Sequence, residues 1–105
     1  MTVTKGRFEW DSEKDRINKE KHGLTFEEAS EIFKDPNSIE FYDNKNSMIG
    51  EDRYIVLGDI GSAIICVVVY VDRREKIRIV SARPAVSKEE IKYYGNSRPD
   101  RKSVV

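Results

Sequence analysis

Arg78 and Arg83 bracket the segment Ile79-Val80-Ser81-Ala82, at the start of the most basic stretch of the chain. Guanidinium groups from neighbouring positions can clamp a phosphodiester and stabilise charge that develops on it. On a regular strand Arg78, Val80 and Ala82 share one side, and Ile77, Ile79 and Ser81 share the other. Arg78 then interrupts an otherwise apolar or small face, and a charge there needs a partner or a ligand. Arg83 falls just past the strand, where loops carry functional groups. The alternative for both is a salt bridge to the acidic face nearby. Arg53 opens an earlier strand directly after Glu51-Asp52, so a carboxylate is its default partner and a third cation on the same sheet its functional role.

His22 is the only histidine, between Lys21 and Gly23 at an expected helix end. It can pass a proton near neutral pH, although a helix C-terminus also favours imidazolium for purely structural reasons. A single histidine excludes a two-histidine acid–base pair. Tyr93 and Tyr94, near Lys88 and Lys92, could stack on a base or carry a proton, against a reading as half-buried packing. The acidic pairs Glu9/Asp11 and Glu51-Asp52 come with no carboxylate–histidine spacing, so no metal site is expected. No glycine-rich phosphate loop of the usual patterns occurs either, so no cofactor is expected. Cys66, inside the most apolar strand, reads as a buried small hydrophobe.

The elements that must position these groups are legible in outline. Phe8-Glu9-Trp10 alternates as a brief strand, and Asp11 caps a helix that Gly23 stops. Ile17, in a spaced series with Trp10 and Leu24, is its thin buried stripe. Thr25 and Glu28 make a capping box, with Leu24 and Ala29 placed for a hydrophobic staple, for a second helix that ends at Asp35-Pro36. Strands follow over residues 38–42, 53–60, 63–71 and 76–82, joined by polar turns, which implies an antiparallel meander. Pro84 ends the last strand, and Ser87 with Glu90 forms a second capping box for a helix running to about Tyr94, stopped by Gly95. The fold class is α+β: a small antiparallel sheet with two N-terminal helices and one C-terminal helix. Residues 1–95 read as one domain and 96–105 as a mobile tail.

A chain of 105 residues, 38% hydrophobic and 36% charged, fits a single small domain. Its longest apolar run, Ala63 to Val71, has nine residues, roughly half the length of a membrane-spanning helix. The first residues lack the apolar segment of a secretion signal, and one cysteine allows no intramolecular disulfide, so a cytoplasmic protein is expected. The zero net charge divides unevenly, −6 over residues 1–72 and +6 over residues 73–105. A basic third of this kind suits an anionic partner such as nucleic acid, or else is a solvated face balanced by the acidic remainder.

Several motifs in order resemble one family. Phe8-Glu9-Trp10-Asp11, Lys14, Asn18, Lys21-His22-Gly23, Phe26-Glu27-Glu28-Ala29 and Phe33 resemble the opening signature of BrnT-type toxins. Glu51-Asp52-Arg53, the apolar hairpin, Arg78-Ile79-Val80-Ser81-Ala82-Arg83-Pro84-Ala85, Glu89-Glu90 and Tyr93 continue it, over roughly residues 8–94. The resemblance implies a type II toxin–antitoxin system, a RelE-like ribonuclease fold and metal-independent RNA cleavage that halts translation. It also implies a small DNA-binding antitoxin of ribbon-helix-helix, BrnA-like type, through which operator DNA is reached indirectly. Chemistry and matched positions together assign Arg78 and Arg83 to the phosphate, Arg53 to their support, and His22 or Tyr93 to proton transfer. The antitoxin is expected to cover the basic face, including Arg73, Arg74 and Lys76, with acidic and apolar residues. The competing readings are a non-enzymatic nucleic-acid or protein-binding module, and a degenerate toxin kept for regulation.

Overall fold

The computed structural model describes residues 1–97. In chain order it has strands β1 (Thr2–Lys5) and β2 (Phe8–Asp11), helix α1 (Ser12–His22), one helical turn α2 (Phe26–Ala29) that tightens into a 3₁₀ segment (Ser30–Lys34), strands β3 (Ile39–Tyr42), β4 (Arg53–Asp59), β5 (Ile65–Arg73) and β6 (Lys76–Pro84), and helix α3 (Ser87–Ser97). The six strands form one sheet in the order β1-β2-β6-β5-β4-β3. The α+β class and the antiparallel run from β3 to β6 agree with the sequence reading. The sheet as a whole is mixed, because β2 lies parallel to β6, with Phe8 opposite Ile77 and Glu9 opposite Arg78. No hairpin joins these two strands, so nothing local in the sequence sets their direction. β1, which the sequence reading leaves without an element, is the antiparallel partner of β2 across a turn at Gly6.

The helix starts follow the caps. The Lys14 N–H donates to Asp11 Oδ2 at 3.0 Å, and Gly23, in the left-handed conformation at φ 71°, closes α1. Thr25 and Glu28 form the reciprocal capping box, with Leu24 and Ala29 buried beside it. After one turn the Ser30 hydroxyl donates to the Glu27 carbonyl at 2.6 Å, and the chain continues as 3₁₀ to Lys34. Three expectations about helices are corrected. Ile17 is 48% exposed, and the buried residue of α1 is Asn18. At α3 the first turn is closed by Glu89, whose Oε1 accepts from the Val86 N–H at 2.9 Å, because Ser87 is already helical. Gly95 does not stop α3, since it stays out of the left-handed region that ends helices. Of the expected tail, Asn96 and Ser97 belong to α3, and residues 98–105 lie outside the described residues.

Each face of the sheet carries a core. The α1/α2 side buries Trp10, Phe26, Ile32, Val56, Val68 and Ile79, with Cys66 among them. Burial, ahead of nearby carboxylates, pushes the Cys66 thiol up to about 11, consistent with an inert packing residue. The α3 side buries Leu57, Ile65, Val67 and Tyr93. The 3₁₀ segment presses onto β4 at Gly58, where an added Cβ would lie 2.8 Å from Ile32 Cγ1 and 3.0 Å from Ser38 Cβ. Gly58→Ala is therefore expected to destabilise the fold by about 1–3 kcal/mol through overpacking. Urea denaturation checks this, with the midpoint falling at constant m.

Candidate active site

Facing pairs across β5 and β6 run Val71/Arg78, Tyr70/Ile79, Val69/Ser81, Val68/Ala82 and Val67/Arg83, leaving Val80 as an extra residue. A bulge of this kind reverses the side on which later residues fall. Ile79 and Ala82 are accordingly both buried against the α1/α2 core, and Arg78, Ser81 and Arg83 share the opposite face. The alternation read from the sequence, with Arg78 and Ala82 on one side, is corrected by that single residue. Arg53 faces Val71 from β4, so Arg53 and Arg78 flank the same β5 position. Arg83, at the Val67 level, is two strand repeats away, about 13 Å along the strand.

Each guanidinium meets a carboxylate. Arg78 Nη1 donates to Glu9 Oε2 at 2.9 Å, across the parallel pair that β2 makes with β6. Arg83 grips Glu89 with both ends of its fork, each at 2.8 Å, and Nη1 also reaches the Pro84 carbonyl at 3.2 Å. The bond to Glu89 raises the Arg83 pKa above its usual value, and the Arg83 fork holds the Glu89 carboxyl down at about 2. Arg53 lies 3.8 Å from Glu51 Oε1, and Arg73 lies 3.9 Å from Glu51 Oε2, so one acid stands between two cations. The Arg53 Nε is buried without a hydrogen bond.

Beside Arg83 the sheet face opens into a groove of about 270 Å³. Its floor is Ile55, Val67 and Val69, and its polar margin is His22, Ser81, Arg83 and Glu89. His22, the last residue of α1, is half-buried there. The structure thus brings His22 and Arg83 to one groove, with Arg78 and Arg53 further along the same face. Tyr93 is placed elsewhere. It is 5% exposed, and its hydroxyl donates to Asp35 Oδ2 at 2.6 Å, the oxygen that also accepts from the Asp59 N–H. Burial, followed by that bond, pushes the Tyr93 pKa up. Tyr94 is 47% exposed and meets Tyr93 edge-on. Among the described residues no three His, Cys, Asp or Glu side chains gather as metal ligands do, and no helix is long and apolar enough to cross a membrane.

Sequence reasoning gave no role to Glu89, Ser81 or Asn18. A glutamate three residues after the helix cap was the available signal for Glu89. Ser81 is assigned to the wrong side without the bulge, and Asn18, four residues before His22, lies on the same side of the helix. The depressed Glu89 pKa predicts an acid-sensitive contribution. A carboxyl lowered from 4.5 to about 2 stabilises the fold above pH 4.5, and that contribution is lost as pH falls toward 2. Glu89→Gln is expected to lose about 1 kcal/mol at pH 7 and to show a flatter stability profile between pH 5 and pH 2. Denaturation at a series of pH values measures both.

Two likenesses place the molecule. The family model described as "Ribonuclease toxin, BrnT, of type II toxin-antitoxin system" matches residues 10–89. The crystal structure of the ribonuclease toxin BrnT from Brucella abortus superposes with a TM-score of 0.58 at 22% identity, over 74% of this chain and 94% of that one. It shows a shared fold. No curated protein matches the chain.

Proposed function

The chain belongs to the BrnT family of ribonuclease toxins of type II toxin–antitoxin systems, and on that premise we propose that the open sheet face is a metal-independent endoribonuclease site. The fold that goes with this reading is RelE-like, and the action is cleavage of cytoplasmic RNA that halts translation. The observation that carries it is the placement of His22 and Arg83 at one groove, in line with Arg78 and Arg53 on the same face.

The route is transesterification. A ribose 2′-hydroxyl loses its proton and attacks the adjacent phosphorus, the bond to the 5′ oxygen breaks, and that oxygen takes up a proton. The products are a 2′,3′-cyclic phosphate and a 5′-hydroxyl end. Arg83 keeps donors beyond the two that Glu89 engages, so it can hold a phosphate oxygen without first releasing its carboxylate. Arg78 and Arg53 serve the negative charge further along the strand, on the same face as Arg83. His22 is the proton-transfer group the geometry favours over Tyr93, whose hydroxyl is committed to Asp35 in the packing beneath α3.

Membership of a type II system brings a protein antitoxin. We take it to be a small BrnA-like ribbon-helix-helix protein that covers the cationic face and alone contacts operator DNA. Arg73 and Arg74 are exposed at the turn between β5 and β6. Reversing both to Glu is expected to weaken antitoxin binding at least tenfold, about 1.4 kcal/mol; titration calorimetry with the co-encoded protein measures it, and unchanged affinity places the interface elsewhere.

Induction of the chain alone, followed by mapping of RNA ends in chelator-containing buffer, tests the activity. Growth arrest and 5′-hydroxyl ends are expected, with a loss of roughly a hundredfold or more in cleavage rate for Arg83→Ala and for His22→Ala. Bound but intact RNA would make the chain a binding module. Full toxicity from well-expressed Arg78→Ala and Arg83→Ala would remove both arginines from the site.

A further inference from the structure

Asn18 is 7% exposed, the buried residue of α1. Its Nδ2 donates to the Leu24 carbonyl at 2.9 Å and to the Ala82 carbonyl at 2.8 Å, and its Oδ1 accepts from the Ala82 N–H at 3.2 Å. Ala82 therefore exchanges both of its backbone groups with one side chain, as it would with a residue on a neighbouring strand.

The neighbouring strand is missing there for a reason. β2 pairs with β6 only at Phe8/Ile77 and Glu9/Arg78, and the chain then turns into α1. From the bulge onward the outer edge of β6 has no strand partner. A buried edge left that way would strand a donor and an acceptor at about 1–3 kcal/mol each. Asn18 satisfies both, and its remaining hydrogen ties in the connection between α1 and α2 at Leu24. With both amide hydrogens and the oxygen engaged, α1 has one height and one rotation on β6.

His22 lies one helical turn beyond Asn18, on the same side of α1, and lines the groove with Ala82 and Arg83. We propose that Asn18 is a positioning residue for proton transfer at His22: by standing in for a strand at Ala82, it holds the imidazole over the groove beside Arg83. An apolar residue at this place would bury the helix equally well and leave its rotation unspecified. The proposal rests on the nuclease reading of His22 and Arg83.

The test uses the full chain with Asn18→Gln, Asn18→Ala and His22→Ala, and the double variant Asn18→Gln/His22→Ala. Gln keeps every hydrogen-bonding group and lengthens the arm by one methylene, so it shifts α1 while sparing the fold. Cleavage of a defined RNA oligonucleotide is expected to lose about tenfold to a hundredfold in kcat with KM little changed. In the His22→Ala background the same substitution should cost nothing further in kcat, while its effect on the denaturation midpoint persists. The imidazole resonances of His22, followed by NMR across pH without RNA, should move with Asn18→Gln. Should Asn18→Gln fold poorly, Asn18→Ala carries the NMR readout. An equal kcat loss in both backgrounds, or unmoved imidazole resonances in a chain that cleaves, overturns the positioning role alone. A wild-type chain that leaves RNA intact overturns the nuclease reading and this role with it.

Discussion

One extra residue in β6 decides which side chains meet. With strict alternation, Arg78 and Arg83 would point to opposite faces, and Arg83 would be driven into the core that Ile79 and Ala82 now fill. An unpaired guanidinium in that position costs several kcal/mol, more than a small domain can lose. Val80 takes up the odd count and leaves Arg78, Ser81 and Arg83 on one face. β5 is the spine of that face, since Arg53 and Arg78 flank Val71 while Arg83 stands beside Val67.

Bringing cations together has a cost of its own, and the carboxylates offset it. Glu9, Glu51 and Glu89 come from three separated parts of the chain and meet the arginines at 2.9, 3.8 and 2.8 Å. Half-buried single pairs of this kind add only modestly to stability, so their effect is mainly geometric. A two-pronged grip such as Arg83 on Glu89 fixes the plane of the guanidinium before any ligand arrives. The wide spacing from Glu51 leaves Arg53 loosely held by comparison, with a buried Nε that has no acceptor.

What the sequence revealed was local. Asp11, Gly23 and the Thr25/Glu28 box mark their helices because each satisfies backbone groups within a few residues, and the apolar pattern within each segment, alternating or continuous, marks β3 to β6. The misreadings of the sheet and of α1 involve distant partners. Arg78 and Glu9 are 69 positions apart, and the parallel pairing that joins them has no turn to announce it. Asn18 is buried instead of Ile17 because Ala82, 64 positions away, lacks a strand beside it. The bulge is equally hidden, since Ile79-Val80-Ser81 alternates well enough on paper and the register with β5 is what breaks it.

The two long helices reach the groove by the same device. On α1, Asn18 is tied into the packing and His22, four residues on, lines the groove; on α3, Tyr93 is tied to Asp35 and Glu89, four residues earlier, lines it. Residues four apart on a helix stack on one side, so each anchor fixes the rotation of its partner. Asp35 also accepts from the Asp59 N–H, which joins the α3 anchor to β4. Tyr93 therefore bears on the groove without entering it. Its hydroxyl holds α3 to the sheet, α3 holds Glu89, and Glu89 holds the fork of Arg83.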